Sequence, residues 1–266
     1  QNNASTPVPV SLTIGASNTS GSFNGPLIGG ANLTKVGTGY LSLLGSSVFS
    51  GSTTISAGTL LTVALGGITT PGSINVANGA TLVFRAGGAG EWNATDIGSA
   101  LTNANFNTSG NVGFDITAGN SLSIGTLIAG GKTLYKSGAG TLVLSGSNTY
   151  TGTTYVQGGT LSIGTLLSLG TSSTTSLSGT LQLTGSTPWT FTNALALSGS
   201  SGIDIPGGSV ITMSGSISGG YGINKTGGGV LVLSGTSTYT GDTYITAGTL
   251  RIGLWNGITV SSLDTS

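Results

Sequence analysis

Residues Lys136–Leu161 read KSGAGTLVLSGSNTYTGTTYVQGGTL. The same 26-residue phrase recurs without a gap at Lys35–Leu60 (KVGTGYLSLLGSSVFSGSTTISAGTL) and at Lys225–Leu250 (KTGGGVLVLSGTSTYTGDTYITAGTL). Each copy runs K-x-G-x-G-x-L-x-L-x-G, then a turn rich in Thr and Ser, then a strand-like stretch closing on G-T-L. Repetition of this kind marks a quasi-one-dimensional array in which each unit packs on its neighbours.

A shorter rhythm lies beneath the phrase. A small residue followed by aliphatic-x-aliphatic places leading residues at Leu122, Leu142, Leu161 and Leu181, spaced 20, 19 and 20 apart. The same rung returns at Ile211, Leu231 and Leu250, spaced 20 and 19, and earlier, less evenly, at Leu12, Leu41, Leu60 and Leu82. One rung per ~20 residues suits a parallel β-solenoid, whose coil must bring the chain back directly above itself. Alternation within a rung sends two aliphatics inward and leaves Ser, Val or Gln outward. Gly after the rung lets the backbone turn the corner. A helix is disfavoured because Thr, Val and Ile abound, Gly interrupts everywhere and no 3.6-residue stripe persists. A sandwich or barrel of hairpins would show turns every 8–12 residues instead.

These spacings predict an all-β parallel solenoid of about twelve coils of ~20 residues, with its core ladder at Leu41, Leu60, Leu82, Leu122, Leu142, Leu161, Leu181, Ile211, Leu231 and Leu250. Residues 1–14 form an N-terminal arm and 15–266 a single solenoid domain. Irregular excursions are expected near 85–110, where Glu91, Trp92 and Asp96 stand outside the repeat, and near 187–201. A longer cycle also shows: Gly113–Gly164 aligns gap-free with Gly202–Gly253, about half the positions being identical.

The phrase G-x-G-x-L-x-L-S-G-x-x-T-Y-T-G-x-T-x-[VI]-x-x-G-T-L resembles the passenger-associated transport repeat of bacterial autotransporters. The match is strong at 136–161 and 225–250. It is good at 35–60, where Phe49 stands in place of Tyr and Tyr40 in place of a small residue. The resemblance implies a right-handed β-helix displayed on the outer surface, of the sort that serves as adhesin or scaffold. It carries no catalytic residues to transfer. The family's membrane barrel does not appear in these 266 residues, which leaves a passenger segment or a free-standing use of the repeat.

Composition narrows the function classes. Six basic and six acidic residues balance, and only 5% of the chain is charged, so the Lys/Arg cluster that nucleic acid demands is missing. With no Cys and no His, disulfides, thiolate or imidazole metal sites and every Ser-His or Cys-His pair are excluded, and no cofactor is expected. No apolar run reaches the ~18 residues of a membrane helix. The start Gln1-Asn2-Asn3-Ala4 reads as a processed terminus, which fits a secreted or cell-surface protein.

Asp115 and Lys136, and likewise Asp204 and Lys225, hold the same repeat register 21 residues apart and are expected to form two structural ion pairs, worth under about 1 kcal/mol each if exposed. Glu91 and Asp96, near Trp92 and Arg85, form the one unrepeated acidic pair. They could bind a sugar with the indole stacked on it, or Trp92 could fold back as a plug. Tyr150 and Tyr239, with Phe49, share one repeat position, and Tyr155 and Tyr244 share another. Packing is the leading reading of these aromatics and an adhesive surface the sharper one. The doublets Gly29-Gly30, Gly130-Gly131 and Gly219-Gly220 read as turns.

The functional expectation is a structural, non-enzymatic subunit that polymerises head to tail with itself into an extracellular filament. Val8, Val10, Leu12 and Ile14 would be donated as a strand to a neighbour, and Leu250, Ile252, Leu254 and Trp255 would form the receiving end. The alternative is a monomeric autotransporter passenger acting as an adhesin or aggregation factor, with a cell-surface or matrix polysaccharide as candidate partner. A β-helical carbohydrate-active enzyme is a remote third, given so few acids.

Overall fold

The computed structural model describes residues 11–30, 32–45, 48–49, 51–63, 74–102, 110–172, 174–253 and 260–263. It is a parallel β-solenoid of about eleven turns with one short α-helix. The chain divides into two compact units, one of residues 1–85 with 89–111 and one of 86–88 with 112–266. Among the described residues no helix is long and apolar enough to cross a membrane.

In the first unit the chain runs over three sides. One side stacks Ser11–Ile14, Asn32–Lys35, Thr53–Ile55 and Ile74–Val76 in that order, and the next carries Gly21–Phe23, Tyr40–Leu43, Thr59–Thr62 and Thr81–Ala86. Ile28–Gly29 and Val48–Phe49 pair on the third side. Parallel register sets Leu41 under Leu60 and Leu60 under Leu82, so these ladder positions stack as the spacing predicts, and all three are buried. Each such leucine contributes about 2 kcal/mol through burial.

The second unit repeats the plan. Its first side carries Leu134–Ser137, Thr154–Val156, Thr174–Leu177, Ala194–Leu197 and Ile217–Gly219; its second carries Ser121–Ile124, Thr141–Leu144, Thr160–Ile163, Thr180–Leu183, Ser201–Asp204, Ile223–Thr226, Thr243–Ile245 and Val260–Leu263. The third side holds the short pair Ala129–Gly130 and Thr149–Tyr150, and later Trp189–Phe191, Val210–Met213, Val230–Leu233 and Thr249–Ile252.

This topology corrects the single ladder. Leu122, Leu142, Leu161 and Leu181 stack on the second side, but the next rung there is Ile203. Ile211, Leu231 and Leu250 form a separate column on the third side, founded on Trp189. The segment 187–201 is therefore no excursion, since it supplies regular rungs to both the third and the first sides. Leu250, in the last of these strands, is only half-buried.

Register also explains why equivalent phrases occupy different sides. Starting at Lys136, the column climbs through Val156, Leu177 and Leu197 to Gly219, four turns later. Lys225 comes six residues after Gly219, the same step that separates Lys136 from Leu142 on the next side. The cycle is thus four turns plus one side, and the third copy of the phrase is advanced by one side relative to the second.

The excursion near 85–110 contains the helix Ala94–Leu101, started by Asn93, whose side-chain oxygen accepts from the amides of Thr95 and Asp96. Ile97, Ala100 and Leu101 give the helix a buried face at i, i+3, i+4 spacing.

Glycine closes the corners. Gly138 and Gly159 have φ of 71° and 58°, and a Cβ on either would run into a backbone carbonyl of the turn below, Ile116 or Gly140.

The three copies also differ in one hydroxyl–hydroxyl hydrogen bond, buried in the second and part-buried in the third. Tyr150 and Thr154 share a hydroxyl–hydroxyl bond of 2.7 Å, and Tyr239 and Thr243 one of 2.6 Å. The first copy has Phe49 at the tyrosine position, and Thr53 Oγ1 is buried with no partner. Thr53→Val should therefore stabilise the protein by about 1 kcal/mol, whereas Thr154→Val, which strands the Tyr150 hydroxyl, should cost about 1–3 kcal/mol. Thermal unfolding followed by circular dichroism measures both; shifts of the same sign would refute the assignment.

Candidate functional site

The repeated lysines point into the solenoid. Lys136 alternates in phase with Leu134, as Lys35 does with Leu33 and Lys225 with Ile223, and all six side chains are buried. Each ammonium meets three backbone carbonyls. Lys136 Nζ donates to Ser137 (2.7 Å), Gly138 (2.9 Å) and, from the following turn, Gly158 (3.0 Å). Lys35 does the same with Val36, Gly37 and Ala57 at 2.8, 2.7 and 3.2 Å. Lys225 repeats it with Thr226, Gly227 and Ala247 at 2.6, 2.7 and 3.1 Å. At a glycine corner the chain bends away from the strand ladder, and buried carbonyls there need donors from elsewhere. An ammonium with three hydrogens matches three such acceptors and ties two successive turns together.

The expected ion pairs are corrected. Asp115 registers with Ser137 and Asp204 with Thr226, one residue past each lysine, so the carboxylates lie on the opposite face of the strand wall. Asp204 accepts from Gln182 Nε2 at 2.7 Å and from Thr226 Oγ1 at 3.1 Å. Burial lowers the pKa of Lys35 and Lys225 and brings Lys136 down to about 8; the charge of Asp115 opposes this for Lys136, and that of Asp204 for Lys225, without cancelling it.

Around Trp92 the plug arrangement is the one observed. The indole is 1% exposed, donates from Nε1 to Thr62 Oγ1 at 2.9 Å and meets Phe84 edge-on with centroids 5.0 Å apart. Glu91 pairs with Arg85 at 3.3 Å, and the Asp96 amide caps on Asn93. The ring is therefore closed to a sugar. Among the described residues no group of three or more acidic, His or Cys side chains could hold a metal ion.

The tyrosines divide by position. Tyr150 is fully buried, whereas Tyr155 stacks outward on Tyr135 with centroids 5.1 Å apart and planes 9° from parallel. Tyr244, at the position equivalent to Tyr155, is 48% exposed, and its hydroxyl donates to Asp242 Oδ2 at 3.2 Å. That bond to a carboxylate raises the phenol pKa. Sequence reasoning missed the group formed by Tyr244, Asp242 and Asn224. Its signal was the departure of the third copy from the second at those positions.

At the termini, part of the expected donor strand belongs to the chain's own sheet. Leu12 and Ile14 lie in Ser11–Ile14, which pairs with Asn32–Lys35 of the same chain, giving that strand a place in its own first turn. Leu250 and Ile252 sit half-buried over Leu231 and Leu233. Val8, Val10, Leu254 and Trp255 lie outside the described residues.

The lysine cages predict an alkaline stability maximum. Lys136 and Lys132 titrate at about 8 in the folded chain and near 10.4 when exposed. Between these values the unfolded chain holds more protons, so stability rises with pH from about 8. Burial raises the pKa of Tyr150 and Tyr239, so their ionisation on unfolding lowers stability above about pH 10. Melting temperature measured from pH 6 to 11 should peak near pH 10. Lys136→Met should cost on the order of 3 kcal/mol and abolish the rise attributable to that residue.

Three segments of the chain, 33–61, 134–163 and 223–252, match the passenger-associated-transport-repeat family. Each contains one lysine cage and the corner glycine that follows it. The chain is also 35% identical over 132 residues to the adhesin BmaC autotransporter of Brucella suis biovar 1 (strain 1330). That stretch is 47% of this chain and 4% of the adhesin, so the chain spans a small fraction of that relative's length. No solved structure matches. The chain thus carries three passenger-associated transport repeats stacked in a parallel β-solenoid, an arrangement consistent with a passenger-type β-helix.

Proposed function

We propose that the chain is a stretch of a cell-surface autotransporter passenger and serves as a non-enzymatic adhesive scaffold. The observation that carries this is the threefold passenger repeat on a parallel solenoid. Similarity to a protein named as an autotransporter adhesin supports it. The architecture suits the role. Parallel turns hold outward side chains at fixed spacing on rigid strands, and stacked turns of this kind present broad surfaces for binding.

Neither comparison supports the head-to-tail filament, and Leu12 and Ile14 of the segment it would donate pair within their own chain. The adhesin reading therefore takes precedence.

The test is adhesion by the purified chain. Beads coated with it should bind matrix-coated and cell-covered surfaces several-fold above beads coated with an inert protein, and heat-unfolded chain should not. Binding at background on every surface would overturn the adhesive reading. Sedimentation of the same preparation should show a monomer; long polymers would restore the filament in its place.

A further inference from the structure

The second and third repeats act as each other's control. They share most of their phrase and their strand pairing, yet differ where the outward tyrosine stands. In the second repeat Tyr135 lies beside Tyr155 in register, and the two rings cover each other. In the third, the residue beside Tyr244 is Asn224. Asparagine is too short to cover a phenol ring, and Tyr244 is correspondingly exposed.

Two more changes accompany the lost stack. Thr153 of the second repeat becomes Asp242, and Gln157 becomes Thr246. Asp242 receives the Tyr244 hydroxyl, and Thr246 Oγ1 donates to Asn224 Oδ1 at 2.6 Å. That bond fixes the amide with its oxygen engaged, and its NH2 group carries two donors. All four side chains are exposed on one side of the solenoid.

From this constellation we infer that Tyr244, Asp242, Asn224 and Thr246 form a binding subsite for a neutral hexopyranose unit of a polysaccharide. The phenol ring offers an apolar face for the C–H face of a pyranose. The Asp242 carboxylate accepts from sugar hydroxyls and the Asn224 amide donates to them, charge-assisted in the first case. A carboxylate at the rim disfavours uronic and sialic acids through like-charge repulsion. The subsite deepens the adhesive reading by naming what the surface holds, and it rests on that reading for its biological setting.

Saturation-transfer NMR on the whole chain tests it, with methyl β-glucopyranoside, methyl β-galactopyranoside and methyl β-glucuronide as probes. At least one neutral glycoside should receive saturation through its ring C–H protons and shift the Tyr244 ring resonances, while the glucuronide should not. Tyr244→Ala should abolish the effect. Asn224→Tyr rebuilds the stack that the second repeat already tolerates, so it should keep the fold and weaken binding about tenfold or more. Tyr155→Ala should leave binding unchanged. The subsite is overturned if no neutral glycoside perturbs Tyr244, if the glucuronide binds as well, or if Asn224→Tyr binds like the parent chain. Bead adhesion separates the two ideas. Adhesion without any glycoside response removes the subsite and leaves the passenger scaffold, whereas a glycoside response on non-adherent beads removes the adhesive role alone.

Discussion

The sheet hydrogen bonds of this protein run between one turn and the next, so a turn is complete only when its successor lies on it. On the flat sides parallel strands answer this constraint residue by residue. The corners are harder, because a bending chain carries carbonyls that no strand faces. There the structure places a lysine whose stem lies in the core and whose ammonium collects two carbonyls from its own turn and one from the turn that follows. Asn148 does comparable work, accepting from the Ile128 amide and donating to the Ser168 carbonyl, and so linking three turns. Core leucines supply most of the driving force, but these polar bridges determine which turn sits on which.

Much of this was legible in sequence, because a solenoid translates spacing directly into stacking. Leu122, Leu142, Leu161 and Leu181 stack as their intervals of 19 and 20 indicate. The failures are of one residue or one side. Asp115 precedes Lys136 by 21 residues, whereas the strands there are offset by 22, and in a pleated strand that single slip reverses the direction of the side chain. The inward lysine was itself readable, since it keeps step with Leu134, but the habit of placing charge at the surface pointed the other way. The jump from Leu181 to Ile211 covers one turn and one further side, and a list of similar rungs does not reveal which side each occupies. The helix at Ala94–Leu101 had its signs as well: an Asn cap and apolar residues at helical spacing.

The repeats are conserved among themselves where they face inward and diverge where they face out. Lysine, corner glycine, buried threonine and ladder leucine are the same in all three copies. Residues 34, 135 and 224, by contrast, are Thr, Tyr and Asn, and residues 54, 155 and 244 are Thr, Tyr and Tyr. One interior therefore supports several exteriors. A protein built this way varies its contacts without altering its core, and that is where any specificity of this chain must reside.

The advance of the third phrase by one side has a consequence for aggregation. If the cycle contained a whole number of turns, equivalent residues would line up along a single side and present ladders of like side chains every few turns. In-register ladders of that kind, rich in β-branched and aromatic residues and poor in charge, are what steric zippers are made from. This chain shares the β-branched content and the scarcity of charge, though only 6% of it is aromatic. The six-residue remainder instead turns the Tyr155 and Tyr244 surfaces toward different directions, and above Tyr155 stands Ser176. A sequence nearly devoid of repelling charge thus has its register as one protection against sticking to copies of itself.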